Sequence, residues 1–413
     1  MEINPQHSEL TIKVTKGLTK DEKKNFGIFI TPKIIFKKLI DSIIDYTNNI
    51  GLDIKRILEP SCGTCEIVNH CDSIFHNVEI IGIEYNKKIY DAIKSLEFKN
   101  NVELIEANFM TYTTDVNFDL ITGNPPYFVC KKTDIPKCYQ DFCSGRPNIF
   151  GIFIIHSLSM LNKGGILAFI IPKSFLNSLY YAPIRNFIKK TCKIINIIDF
   201  ENDNEFIDTD QSTFGLIIQK LIEPTNQEQE CEFSVKLNGN FIFTTSAIIL
   251  KELFEGSTTL EKMGLKVRTG NVVWNENKEK LTDNSEDTIL IYNTNISKDN
   301  VLEVKKFKNG EKGQYIKRDG RIDPTLVVNR GNGNSAYKLN YAIITRGPYL
   351  IENHLNEIYS PKKMEKKQLL DIYDRVINSF KNPKTQKFID QFLGNNGLSK
   401  TELETIFPIY YEI

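Results

Sequence analysis

The chain has 413 residues, 41% hydrophobic and 25% charged, enough for two folded domains with a sizeable core. Lys and Arg total 52 and Asp and Glu total 52, so no global excess of positive charge announces a polyanionic partner. No apolar run approaches the roughly 20 residues that span a bilayer. The Met1-Glu2-Ile3-Asn4 start lacks a basic-then-apolar export pattern, and the 8 cysteines are too irregularly spaced for a secreted disulfide framework, so a membrane or secreted protein is not expected.

From about Arg56 to Leu221, short β-branched runs alternate with helix-length stretches, the pattern of a mostly parallel sheet with crossover helices. Strands are expected at Arg56 to Leu58, Glu79 to Ile83, Val102 to Ile105, Phe118 to Thr122, Ile166 to Ile171, Ile194 to Asp199 and Phe214 to Leu221. Between them the spacing predicts helices over Lys87 to Leu96, over Ile149 to Leu161 with an end at Gly164-Gly165, and over Pro183 to Lys190. The fold class is therefore α/β, a doubly wound sheet whose ligands bind beyond the carboxyl ends of its strands. After Glu223-Pro224 the regular alternation stops, which places a boundary between a first domain, 1–224, and a second of α+β character, 225–413. Helical periodicity returns from about Lys362 to Ser379 and on to Leu403.

The strongest local feature is Asp119-Leu120-Ile121-Thr122-Gly123-Asn124-Pro125-Pro126-Tyr127, an apolar strand running into an amide, two prolines and an aromatic. Successive prolines fix φ and remove backbone donors, so the Asn124 side chain and the Pro125 carbonyl can be held as neighbouring acceptors at a strand end. Two acceptors match the two hydrogens of an amino group, and Tyr127 offers a flat face to the planar ring that carries it. Hydrogen bonding of this kind keeps the nitrogen lone pair out of ring conjugation and makes it a better nucleophile.

Earlier, the strand at Ile57-Leu58 leads into Glu59-Pro60-Ser61-Cys62-Gly63-Thr64-Cys65, whose small residues allow backbone to approach a ligand closely. The next strand ends in Glu84-Tyr85, where the acid can accept both ribose hydroxyls, and the third in Glu106-Ala107-Asn108-Phe109, which places an amide and an aromatic beside a nucleoside base. Together these ends describe a nucleoside pocket without a phosphate loop, as an adenosine attached to a sulfonium amino acid requires. Cys62 and Cys65 have the spacing of a redox or zinc pair, with His70 and Cys71 close behind; no second pair follows at finger spacing, and no metal is expected.

The order and content of these motifs resemble the gamma class of N6-adenine DNA methyltransferases, the TaqI-like group found in type II restriction-modification systems. The resemblance covers about residues 25 to 222. It implies S-adenosyl-L-methionine as cofactor, Thr31 and Pro32 of Gly27-Ile28-Phe29-Ile30-Thr31-Pro32 at that cofactor, Glu59, Pro60, Ser61, Cys62 and Gly63 as its loop, and Glu84, Tyr85, Asn108 and Phe109 around the nucleoside. Asn124, Pro125, Pro126 and Tyr127 correspond to the catalytic tetrapeptide, with Asn124 also bordering the cofactor. Phe206 stands where the family places an aromatic that stacks on a flipped adenine opposite the tyrosine. Asn108 departs from the usual aspartate, and Cys65 from the usual glycine. Arg146 to Phe150 resembles the opening of the following helix, and Gly164 to Pro172 the strand after it.

The resemblance further implies double-stranded DNA as partner, a restriction endonuclease reading the same site as a second one, a monomer with no membrane association, and a cytoplasmic, nucleoid or viral-factory location. Beyond residue 225 it implies a target-recognition domain. There Lys305 to Arg346 holds ten Lys or Arg against three acids. Arg268, Asn271, Arg330, Asn332, Lys338 and Arg346 are the candidates for DNA contact, since Arg and Asn can pair with guanine and adenine edges. Three other readings stay open at this point: RNA adenine methylation, methylation of a protein glutamine amide by the same tetrapeptide, and a catalytically silent DNA-binding module.

Overall fold

The computed structural model describes residues 6–19, 22, 31–143, 145–200, 212–224, 231–305, 307, 312–331, 337–393 and 397–410. Strand β1 (Arg56–Glu59) lies between β2 (Glu79–Glu84) and β4 (Phe118–Gly123), parallel to both. With β3 (Asn101–Glu106), β5 (Leu161–Pro172), β6 (Cys192–Asp199) and β7 (Thr213–Lys220) it forms a seven-stranded sheet of order β3-β2-β1-β4-β5-β7-β6. Only β7 runs antiparallel, against β5 and β6. The strand order reverses beside β1, so the carboxyl ends of β1, β2, β3 and β4 diverge around a crevice.

The period-2 geometry of a strand buried on both faces is plain in β5. Ile166, Ala168 and Ile170 pack into one apolar layer with Ile35, Phe36, Leu39 and Ile40 of the helix α2 (Lys33–Ile50) and Ile67 and Val68 of α3 (Glu66–Ile74). Leu167, Phe169 and Ile171 join the opposite layer with Phe150 and Ile154 of α5 (Ile149–Met160) and Ile184 and Ile188 of α6 (Ala182–Thr191). This is a Rossmann-like, doubly wound sheet, as the alternation predicts.

Three local expectations are corrected. Helix α4 covers Lys87–Ile93 and stops short of Leu96. Gly164 does not cap α5: β5 already begins at Leu161, and Gly164, with φ of +81°, sits where the β4–β5 pairing shifts register between Phe118 and Leu120. The domain boundary also moves, because the chain divides into the compact units Met1–Ala247 and Ile248–Ile413 rather than at 224.

Arg185 of α6 supplies a physical reason for the last of these. It is 0% exposed, and its guanidinium donates to the Phe241 carbonyl at 2.5 Å, to Phe175 at 2.7 Å and to Ser178 at 2.8 Å. Phe241 belongs to β9 (Asn240–Phe243), which pairs with β8 (Ser234–Leu237), so the hairpin beyond residue 224 is stitched into the first unit. An Arg185→Leu variant leaves these carbonyls buried without donors, and a thermal or urea melt should show about 2 to 3 kcal/mol lost from the first unit.

The second unit contains a four-stranded antiparallel sheet of Lys266–Thr269, Leu355–Tyr359, Thr325–Asn329 and Tyr341–Ile344, in that order. A second four-stranded sheet joins Leu281–Thr282, Tyr315–Ile316, Thr288–Ile291 and Tyr349–Ile351. Helices Lys366–Phe380, Pro383–Phe392 and Lys400–Thr405 fulfil the expected return of helical periodicity. Among the described residues no helix is long and apolar enough to cross a membrane.

Candidate active site

The loop after β1 is tied across the crevice. The Cys62 amide donates to the Ile83 carbonyl at 2.8 Å, Ser61 Oγ to the Asn124 carbonyl at 3.2 Å, and the Gly63 amide to Glu84 Oε2 at 2.9 Å. Glu84 Oε1 accepts the Asn86 amide at 2.6 Å, and the Glu84 carbonyl accepts the Ala107 amide at 3.1 Å. The ends of β1, β2, β3 and β4 are thus locked into one rim. Gly63 and Cys65 both sit at positive φ, +52° and +66°, the region that favours glycine; Cys65 adopts it at the start of α3 with a fully buried side chain.

Two cavities open inside this rim. The larger, of about 310 Å³ and continuous with solvent, is lined by Pro60, Ser61, Gly63, Glu84, Tyr85, Asn108, Phe109, Asn124, Pro126 and Phe128, among others. The smaller is lined by Thr31, Glu59, Ser61, Cys62, Gly63, Thr64 and Asn124, with Val14, Thr15 and Leu18 from and just after α1 (Glu9–Lys16) on another side. Ser61, Gly63, Ile89 and Asn124 border both, so Asn124 stands where the two meet. Pro32 begins α2 next to Thr31.

The linings differ in chemistry. In the larger cavity, Glu84 is nearly buried and keeps acceptor capacity beyond its two amide bonds; burial pushes its carboxyl up from 4.5, and the Asn86 and Gly63 N–H groups pull it back. Tyr85 is 60% exposed and shows a flat ring to solvent. Phe109 is packed against Phe153 and His156, with ring centroids 4.8 and 4.6 Å away, while Asn108 caps the following turn through its oxygen to the Met110 amide at 3.0 Å. In the smaller cavity, Glu59 is 4% exposed and its Oε2 is buried without a hydrogen-bond partner; burial drives its carboxyl well above 4.5. A buried carboxyl oxygen without a donor is a receptor for a cationic or N–H-bearing ligand. Acceptors for ribose, flat apolar walls for a base and an orphaned carboxyl for an ammonium fit S-adenosylmethionine.

The bend itself departs from expectation at one residue. Asn124 Nδ2 donates to Thr31 Oγ1 at 2.9 Å, and Pro125 is buried. Tyr127, expected to show a flat face, is 8% exposed, edge-on to Phe150 at 6.0 Å, and the single proton of its hydroxyl has two acceptors in reach, Asn124 Oδ1 and the Ile170 carbonyl. Here Tyr127 braces the bend against β5, and Pro126 and Phe128 are the residues of this segment that face the cavity. Phe206 lies outside the described residues.

Among the candidates for DNA contact, Arg268 is held in part by its own unit. Its Nε and Nη2 donate to the two oxygens of Glu357 at 2.8 and 2.9 Å, its guanidinium stacks on Tyr359 at 4.3 Å, and Arg321 grips the same carboxylate, which is 2% exposed. That carboxylate takes the Nε–Nη2 edge of the guanidinium and leaves the Nη1–Nη2 edge for other acceptors. An Arg268→Ala variant is expected to lower the melting temperature, by about 1 kcal/mol of stability. Arg330 is also committed in part, donating to the Asn353 carbonyl at 2.8 Å. Asn271, Lys338 and Arg346 are exposed, and Asn332 lies outside the described residues. Sequence reasoning missed the pairing of Arg268 with Glu357, and it missed α1, whose Thr11 donates to Glu66 at 2.5 Å and contacts Thr64 Oγ1 at 2.7 Å beside the smaller cavity.

Residues 70–206 carry an Eco57I restriction-modification methylase domain. Type II methyltransferase M.CvrRI of Paramecium bursaria Chlorella virus XZ-6E is 27% identical over 97% of this chain and 98% of its own. Modification methylase CviBIII of Paramecium bursaria Chlorella virus NC1A is 26% identical over 98% of this chain and 99% of its own. Among solved structures, the type IIG restriction endonuclease BpuSI aligns over 96% of this chain and 60% of its own, at 12% identity and a TM-score of 0.45. The matched segment is thus a restriction-modification methylase domain, in agreement with the TaqI-like resemblance of the motifs. The methylase domain includes β2 to β6, and with them Glu84, Asn108 and the Asn124 bend.

Proposed function

We propose that the protein transfers a methyl group from S-adenosylmethionine to N6 of an adenine in double-stranded DNA. The observation that carries this reading is the position of Asn124, a stiffly held amide at the junction of two cavities. Glu84 accepts the ribose hydroxyls, Tyr85 and Phe109 border the adenine, and Glu59 receives the ammonium of the methionyl end in the smaller cavity. The bound cofactor supplies an electrophilic methyl on a sulfonium. Asn124 Oδ1 and the Pro125 carbonyl accept the two hydrogens of the target amine and aim its lone pair. The rate then comes from alignment, with the amine's extra proton leaving after transfer. The target base must leave the helix to reach Asn124, since an amine inside the stack cannot approach in line. Phe206 is assigned to one face of that base. Tyr127 serves the bend.

The first unit is assigned to catalysis and the second to target recognition, with Asn271, Lys338 and Arg346 as its exposed contacts to DNA. Tritium transfer from labelled cofactor to duplex DNA, to RNA and to protein, run side by side, tests the substrate class. Label in duplex DNA alone is the expected result, and label in RNA or in protein glutamine would replace this reading.

A further inference from the structure

The following rests on the reading of Asn124 as the receiver of the target amine. A carboxamide has two ends of nearly equal shape and opposite polarity: Oδ1 accepts, Nδ2 donates, and a half-turn exchanges them. Only the oxygen can receive an N–H of the target. From the geometry around this one amide we infer that Thr31 is a positioning residue, which sets the orientation of Asn124 in addition to bordering the methyl donor.

Asn124 Nδ2 donates to Thr31 Oγ1 at 2.9 Å, while Oδ1 accepts from the Tyr127 hydroxyl. The Tyr127 hydroxyl has one proton and a second acceptor in reach, the Ile170 carbonyl of β5 at 2.7 Å. When a target amine arrives at Oδ1, the tyrosine proton can turn to Ile170, so a buried hydroxyl stays paired and the amide oxygen is released. The productive arrangement then needs an acceptor for Nδ2, and Thr31 Oγ1 is placed to be that acceptor. Thr31 is itself 7% exposed and lines the same cavity as Glu59 and Asn124, so water does not readily substitute for it.

With valine at position 31 the shape is kept and the acceptor is lost. The turned amide, with Nδ2 directed at the Tyr127 oxygen while that hydroxyl donates to Ile170, then competes with the productive one. In that state the site presents a donor to an incoming donor, and the nucleophile is repelled rather than aimed.

Single-turnover methyl transfer and equilibrium S-adenosylmethionine binding, measured on the full chain for Thr31→Val, Thr31→Ser and Asn124→Ala, test this. Thr31→Val is expected to slow transfer about tenfold at saturating cofactor, the worth of one buried hydrogen bond, with the cofactor Kd nearly unchanged. Thr31→Ser, which keeps the hydroxyl, should recover most of that loss. A Thr31→Val enzyme that transfers at the wild-type rate once cofactor saturates overturns the inference, as does Thr31→Ser performing no better than Thr31→Val. Retained transfer by Asn124→Ala is a separate outcome, which overturns the underlying assignment of the amide.

Discussion

Asn124→Ala is expected to slow methyl transfer several hundredfold while leaving S-adenosylmethionine bound. The substitution removes the acceptor aimed at the amine, and with it the alignment of nucleophile and methyl group, losses that elsewhere amount to about 3 to 4 kcal/mol for a single well-placed hydrogen-bonding group. Cofactor affinity should survive, because the contacts assigned to ribose, base and ammonium come from Glu84, Tyr85, Phe109 and Glu59, on other strand ends and loops. The bend keeps its backbone through Pro125 and Pro126, and Tyr127 keeps its bond to Ile170. Calorimetry for cofactor binding and single-turnover kinetics on the same preparation separate the two effects. A variant that binds cofactor and still transfers at the wild-type rate would remove Asn124 from the chemistry.

Glu84→Ala should have the opposite profile, raising the cofactor Kd by several hundredfold with a smaller effect on transfer at saturation. Two hydroxyl donors to one carboxylate make charge-assisted bonds, together about 3 to 4 kcal/mol when shielded from water. The substitution also deprives the Gly63 and Asn86 amides of their acceptor, so the loop after β1 loosens where the ligand is gripped. The same residue predicts a pH dependence. Burial raises the Glu84 carboxyl above 4.5, and the ligand favours its ionised form, so affinity is full at neutral pH and falls as pH drops through the raised value. In Glu84→Gln that decline should flatten, and an unaltered acid limb would assign the titration to another group.

What the sequence discloses is governed by distance along the chain. The strands were legible because each is a local β-branched run, and β5, buried on both faces, shows a continuous apolar stretch with no polar alternation to confuse its reading. The Asn124 bend was legible because two prolines after an apolar strand constrain backbone whatever surrounds it. Glu84 was found because it follows a strand end at a spacing that the fold itself imposes. Tyr127 was misjudged because the carbonyl that captures its hydroxyl is 43 residues downstream, at Ile170. Arg268 beside Asn271 suggested base recognition, yet its carboxylate partner lies 89 residues away. Thr31 entered as a cofactor contact by resemblance, and its bond to Asn124, 93 residues on, has no local signature. The boundary was set too early for a similar reason, since Arg185 reaches 56 residues forward to hold Phe241.

The central claim concerns which nitrogen receives the methyl group. Duplex DNA incubated with the purified protein and S-adenosylmethionine, digested to nucleosides and resolved by mass spectrometry against standards, identifies that atom directly. The account predicts N6-methyldeoxyadenosine as the methylated product, abolished in Asn124→Ala. Methylated cytosine, or unmodified DNA alongside methylated RNA or protein, would contradict it.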